Sequence, residues 1–118
     1  MTEKIPDYPR PIEDYALIGD CVTAALVARN GSIDWLCWPR FDSDACLAAL
    51  LGNENNGRWS IAPVEPVTGV TRQYRDDTMV METVFETASG AVALIDFMPM
   101  LHGQAMLSAR TAIVRIVE

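Results

Sequence analysis

Lysine is nearly missing from this 118-residue chain: Lys4 is the only one, and the arginines are scattered. With a formal charge of −7 there is no cluster of cations to grip phosphates, which excludes non-specific nucleic-acid binding. Cysteine is sparse and unpatterned. Cys21, Cys37 and Cys46 form an odd set with no CxxC, unlike the even, closely spaced cysteines of a secreted disulfide scaffold. A single histidine, His102, would have to meet all three from distant segments to complete a zinc site. The thiols are therefore expected to be buried and inert, and no metal or other cofactor is expected. The glycines are dispersed, with neither GxGxxG nor GxxxxGK[ST], so no phosphate loop is visible. Ser32 and Ser43 have no histidine partner other than His102, too little for a Ser-His-Asp triad. The N-terminus lacks the apolar core of a secretory signal. The longest apolar run, from Val22 to Ala28, is interrupted by Thr23 and is far too short to span a bilayer. The expectation from these absences is a soluble cytoplasmic protein without nucleic-acid or membrane partners.

Half of the residues are hydrophobic, so a chain of this length can bury a real core and reads as one domain. Residues Met1 to Pro11 hold three prolines and form an extended lead-in. The densest information lies between Asn30 and Leu51. Asn30-Gly31 supplies two residues that tolerate positive φ, the requirement of a type I′ hairpin turn. Small apolar residues make helix a competitor over Cys21–Arg29, but a two-residue turn needs a strand on each side. The strand after it, Ser32 to Trp38, places Ile33, Trp35 and Cys37 on one face and Asp34, Leu36 and Trp38 on the other. Pro39, with no N–H to donate, stops the ladder. Asp42 or Ser43 then caps an expected helix over Asp44–Leu51, with Leu47, Leu50 and Leu51 on one face and Gly52 ending it.

Beyond the helix the chain reads as repetitive strand: Arg58–Ala62, Val70–Arg75, Met79–Thr87, Ala91–Met98 and Arg110–Val117, separated by turns at Pro63 to Pro66, Arg75 to Asp77 and Ala88 to Gly90. A loop from Met100 to Ser108 precedes the last strand. About seven short strands and one short helix predict an all-β fold, an antiparallel β-sandwich. The strand Arg115-Ile116-Val117-Glu118 runs to the last residue with no cap or turn, which suggests a longer parent chain and a truncated domain over residues 12–118.

The run from Asp14 to Gly52, DYALIGDCVTAALVARNGSIDWLCWPRFDSDACLAALLG, resembles the amino-terminal region of glycoside hydrolase family 15, whose bacterial members are glucoamylase-like, glucodextranase-like and trehalase-like. NGRWSIAP (Asn56 to Pro63), RQYRDDTMVMETVFET (Arg72 to Thr87) and GAVALIDFMPM (Gly90 to Met100) resemble later parts of that region in the same order. The resemblance implies a non-catalytic β-sandwich of the super-sandwich kind, joined to a helical (α/α)6 barrel that is absent here. That barrel carries two catalytic glutamates and hydrolyses α-glucosidic bonds with inversion, for which carboxylates stand about 6.5–9.5 Å apart around a water. The sandwich is then expected to pack on the barrel and shape the rim of its glucose pocket. Glucoamylase and trehalase remain equally open. Some trehalase-like members depend on phosphate and magnesium, and no residue here argues for either.

Among the residues present, Asp34, Asp42, Asp44, Glu82, Glu86 and Asp96 are carboxylates by type, but a solvated sheet face explains them without catalysis. Trp38, Arg40, Phe41 and Asp42 make the stronger candidate site, in contact with the missing barrel or with an α-glucoside at its boundary. An aromatic ring covers the apolar face of a pyranose, and Arg and Asp bind its hydroxyls. The reading that capping favours is purely local, with Asp42 capping the helix, Arg40 paired to Asp42 or Asp44 and Phe41 packed beneath; contact with the partner domain is the leading functional version. Two rivals stand beside this reading. A free-standing carbohydrate-binding or interaction module would use Trp35, Trp38 and Trp59 as an exposed, coplanar platform. Self-association would run through an unpaired strand edge.

Overall fold

The computed structural model describes residues 10–99 and 112–118. Among the described residues, nine strands form two antiparallel sheets. The first sheet takes β1 (Tyr15–Gly19), β2 (Ala24–Ala28), β3 (Ser32–Cys37) and β4 (Ala45–Leu47) in that order, with β5 (Trp59–Ser60) also paired to β3. The second runs in chain order through β6 (Gly69–Tyr74), β7 (Met81–Thr87), β8 (Gly90–Phe97) and β9 (Val114–Val117). The expected all-β architecture is present. Among the described residues, helical content is limited to single 3-10 turns at Ile12–Asp14, Ala49–Leu51 and Glu54–Asn56. No helix among the described residues is long and apolar enough to cross a membrane. Most of the lead-in, Lys4, His102, the loop from Met100 to Ser108 and the first residues of the expected last strand lie outside the described residues.

The core lies between the sheets, where Ala16, Ile18, Ala25, Val27, Ile33 and Leu36 of the first meet Met81 of the second, with Met98 alongside. Alternation on β7 is as expected: Met81, Thr83 and Phe85 are buried, with Glu82 and Glu86 facing away. Strict alternation on β3 is not. Leu26 pairs with Trp35 but Val27 with Ile33, so Asp34 is an extra residue on β3, a β-bulge. The bulge shifts the parity of everything after it. Ile33 and Leu36 therefore share the core instead of facing apart, and Asp34 is completely buried.

Two further expectations are corrected. The segment expected to be the helix Asp44–Leu51 pairs instead as β4 against β3 before one 3-10 turn. Leu47 pairs with Leu36 and packs against the core while Leu51 stays in solvent, and strand pairing satisfies a backbone that a two-turn helix would leave largely uncapped. The turn after β2 is also not type I′, because only Gly31 has positive φ. The Gly31 N–H donates to Ala28 O at 2.9 Å, which gives a three-residue loop ending in a left-handed glycine.

Tyr74 fastens one flank of the sandwich. Its hydroxyl donates to Leu17 O at 2.7 Å and accepts from Leu17 N–H at 3.0 Å, closing the free edge of β1 from β6. Tyr74→Phe should therefore cost about 1 kcal/mol, read by urea unfolding, since it orphans a partly exposed peptide group. Unchanged stability would mean that water replaces the hydroxyl there at no cost.

Candidate functional site

Two loops meet at one end of the first sheet. Asp20 organises the first: its carboxylate accepts the N–H groups of Val22 and Thr23, each at 2.9 Å, which holds Cys21 at positive φ. Thr23 donates its hydroxyl to Cys37 O and so ties this loop to the end of β3. The second loop follows β3, begins with a cis Trp38-Pro39 bond, and is stitched to the first by the Phe41 N–H donating to Val22 O at 3.0 Å.

Arg40 to Ser43 forms a turn. Ser43 N–H donates to Arg40 O at 3.1 Å, and the Ser43 hydroxyl accepts from Arg40 N–H at 3.2 Å. Ser43 and Asp42 thus close a turn rather than cap a helix. Arg40 Nε lies 3.3 Å from Asp42 Oδ1, an ion pair with both side chains about two-thirds or more in solvent. The structure leaves Trp38 37 % and Phe41 61 % exposed. Phe41 does not pack beneath the pair. Val22, from the neighbouring loop, is exposed as well, and so are Cys21 and Cys46, against the expectation of buried thiols; only Cys37 is inside. Cys46 is exposed because it is the extra residue of a second bulge, where Leu36 pairs with Leu47 and Cys37 with Ala45. The structure thus places Trp38, Arg40, Phe41 and Asp42 on one exposed loop, whose backbone is held by a turn and by the Asp20 loop.

The three tryptophans do not form one surface. Trp59 pairs with Ile33 at the start of β3, while Trp38 follows its end, about 16 Å along the strand at 3.3 Å per residue. Trp35 is half-buried, and the Arg115 guanidinium lies 5.1 Å from the centre of the Trp59 ring.

Two of the carboxylates assigned to solvated faces are buried. Asp34 accepts from the Tyr15 hydroxyl at 2.7 Å and from the Ser32 hydroxyl at 2.6 Å, so Gly-Ser-Ile-Asp-Trp encodes a bulge and its internal hydrogen bonds. Asp96 on β8 is completely buried against Arg115 of β9, with Nε to Oδ1 at 2.7 Å. Burial pushes the Asp96 carboxyl above its ordinary value, and the hydrogen bond and charge of Arg115 pull it back in part. Arg115 also donates to Trp59 O at 2.7 Å and to Gly31 O, so one guanidinium clasps the second sheet to the first. Sequence reasoning missed this clasp. Its signal was one acid in the apolar run of β8 and one base in that of β9.

Elsewhere, a cleft of about 340 Å3 opens between β1 and β6, lined by Tyr15, Leu17, Arg29, Arg72 and Tyr74. Burial and the nearby Arg29 lower the Arg72 guanidinium from its ordinary value, while Asp14 and Tyr74 oppose that. Arg72 Nη1 donates to Val27 O at 3.2 Å, a further fastening between the sheets beside those of Tyr74 and Arg115. No group of acids, histidines and cysteines among the described residues could hold a metal ion.

The family described as "Trehalase-like, N-terminal" matches residues 5–118. The chain belongs to that family. It is 40 % identical over 96 residues to Trehalase 1 of Sulfolobus acidocaldarius, covering 81 % of this chain and 17 % of that one. It is 36 % identical over 97 residues to the trehalase of Thermoplasma volcanium, covering 80 % and 15 %. Against the trehalase of Mycolicibacterium smegmatis it is 32 % identical over 90 residues, covering 76 % and 13 %. The trehalase-like N-terminal domain thus spans about a sixth or less of these relatives, and each of them is named a trehalase. No solved structure matches significantly.

Proposed function

We propose that this domain is the non-catalytic amino-terminal unit of an inverting trehalase-type glycoside hydrolase, and that the loop carrying Trp38, Arg40, Phe41 and Asp42 packs on its catalytic domain beside the substrate pocket. The observation that carries the reading is the exposure of Phe41 and Trp38 on a loop whose backbone is firmly held. Large rings kept in solvent by a fixed loop supply the apolar centre of an interface, and Arg40 and Asp42 supply its polar rim. The relatives support the trehalase side of the family over the glucoamylase side, since each is named a trehalase.

Support is a sufficient role for the domain's own acids. Asp34 and Asp96 are committed to Tyr15, Ser32 and Arg115, and Glu82 to Arg75 at 2.9 Å. The test uses the full-length protein. Arg40→Ala and Phe41→Ser should each lower kcat/KM for trehalose at least about tenfold, while leaving the thermal stability of the isolated domain within about 0.5 kcal/mol, because neither side chain is packed here. Unchanged kinetics in both variants would reject the contact.

A further inference from the structure

We infer that the free edge of β9 is the docking site for one more β-strand, apolar at alternate positions, contributed by a later part of the polypeptide in the full-length protein. The inference rests on the reading above that the domain works inside a longer trehalase.

The two flanks of the sandwich are unlike. On the β1 and β6 side, Tyr74 and Arg72 reach across to backbone groups of the first sheet. Among the described residues, the β9 side carries an open ladder. Ala93 and Glu118 exchange both backbone bonds, at 3.0 and 2.9 Å, which fixes the phase of the β8–β9 pairing. In an antiparallel ladder hydrogen-bonded and non-bonded pairs alternate, so the N–H and C=O groups of Ile116 and Val114 face β8 and those of Arg115 and Val117 face outward. Such a row of unpaired donors and acceptors is a template for a further strand.

Side chains indicate what that strand must bring. Arg115 points inward to Asp96, and Val117, two residues on, shares the inward face. Val117 pairs with Leu94, which is wholly buried, yet is itself 57 % exposed. It borders an apolar notch of about 120 Å3 lined by Ile61, Pro63, Phe85 and Leu94. An inward residue left bare at a sheet edge, beside an apolar notch, is core lacking a neighbour on one side. A strand laid against β9 would pair with the Arg115 and Val117 backbone and set an apolar side chain over Val117 and the notch. A second copy of the chain fits less well, since each carries a net charge of −7 and would bring it to the same edge. The relatives, of which this domain is 13–17 %, have ample chain to supply the strand internally.

Hydrogen exchange resolved to single residues in the 118-residue chain and in the full-length protein tests this. In the shorter chain the Arg115 and Val117 amides should exchange fast and the Ile116 amide slowly. In the full-length protein Arg115 and Val117 should slow by about a hundredfold or more, as strand amides do. Equal rates in the two proteins would overturn the proposal. Slow exchange in the 118-residue chain, with a dimer mass by light scattering, would overturn it in favour of a second copy. Trehalose hydrolysis by the same full-length sample is scored separately, so an inactive protein with a protected edge refutes the functional reading and leaves the docking site standing.

Discussion

Gly31→Ala should destabilise the domain by about 3 kcal/mol and lower Tm by roughly 12–20 °C, with loss of cooperative unfolding within reach at 37 °C. Two separate penalties meet at this position. Gly31 has φ +88, where an L side chain is strained, and a Cβ built there would lie 2.1 Å from Ile61 O. That oxygen is backbone in the segment after β5, and it cannot yield without moving the pairing of β5 on β3. The carbonyl of Gly31 has two duties of its own: it accepts from Ile61 N–H at 3.2 Å and from the Arg115 guanidinium. A shift of the turn therefore disturbs the strand pairing and the clasp together. Gly90→Ala is the informative control, because Gly90 also has positive φ, +151, but a Cβ there meets nothing within 4 Å. It should cost about 1 kcal/mol, the backbone contribution alone. Urea unfolding of both variants separates the contributions. Equal costs would show that the close approach to Ile61 relaxes freely, and the role given to the turn would fall.

That turn also shows how much the sequence could say. Asn30-Gly31 was legible as a hairpin because glycine tolerates a conformation that few residues accept, and the strands on either side followed from it. The register beyond it was not. A β-bulge adds one residue to one strand, and no local composition marks it, since Asp34 in an alternating stretch is as consistent with a solvated face as with a buried one. Once Asp34 is the inserted residue, Ile33 and Leu36 fall on one side, and the carboxylate meets Tyr15 and Ser32. The helix expected over Asp44–Leu51 failed for a related reason. Its apolar spacing was real, but β3 offered an unpaired edge, and tertiary pairing overrides a weak local preference. The candidate site fared differently. Pro39 marked where β3 ends, but sequence alone left Phe41 free to pack beneath the Arg40 pair or to face solvent, and its exposure came from the structure; the Arg115 clasp joins groups 84 residues apart and could be read only as two isolated charges in apolar strands.

The clasp carries the second large prediction. Asp96→Ala should cost about 3–5 kcal/mol, because it leaves the Arg115 guanidinium buried without its counter-charge. The upward push on the Asp96 carboxyl shows that burial costs this pair much of what attraction returns. Replacing both groups, as in Asp96→Leu with Arg115→Met, should therefore recover most of the loss. Recovery should stop about 1–2 kcal/mol short of the parent, since Gly31 O and Trp59 O would lose a donor and the Trp59 ring its cation. A double-mutant cycle by chemical denaturation reads the coupling directly. A coupling of about 2 kcal/mol or more fits a clasp; additive costs would reduce the pair to two independent charges. The residual deficit matters most for function. It measures what Arg115 gives to the Gly31 turn and to β5 apart from neutralising Asp96, and those contacts fix the Trp59 end of β3. A rigid β3 in turn holds Pro39 and the exposed Phe41 loop in place, so a variant that restores stability without these contacts should fold well and still hold that loop less firmly.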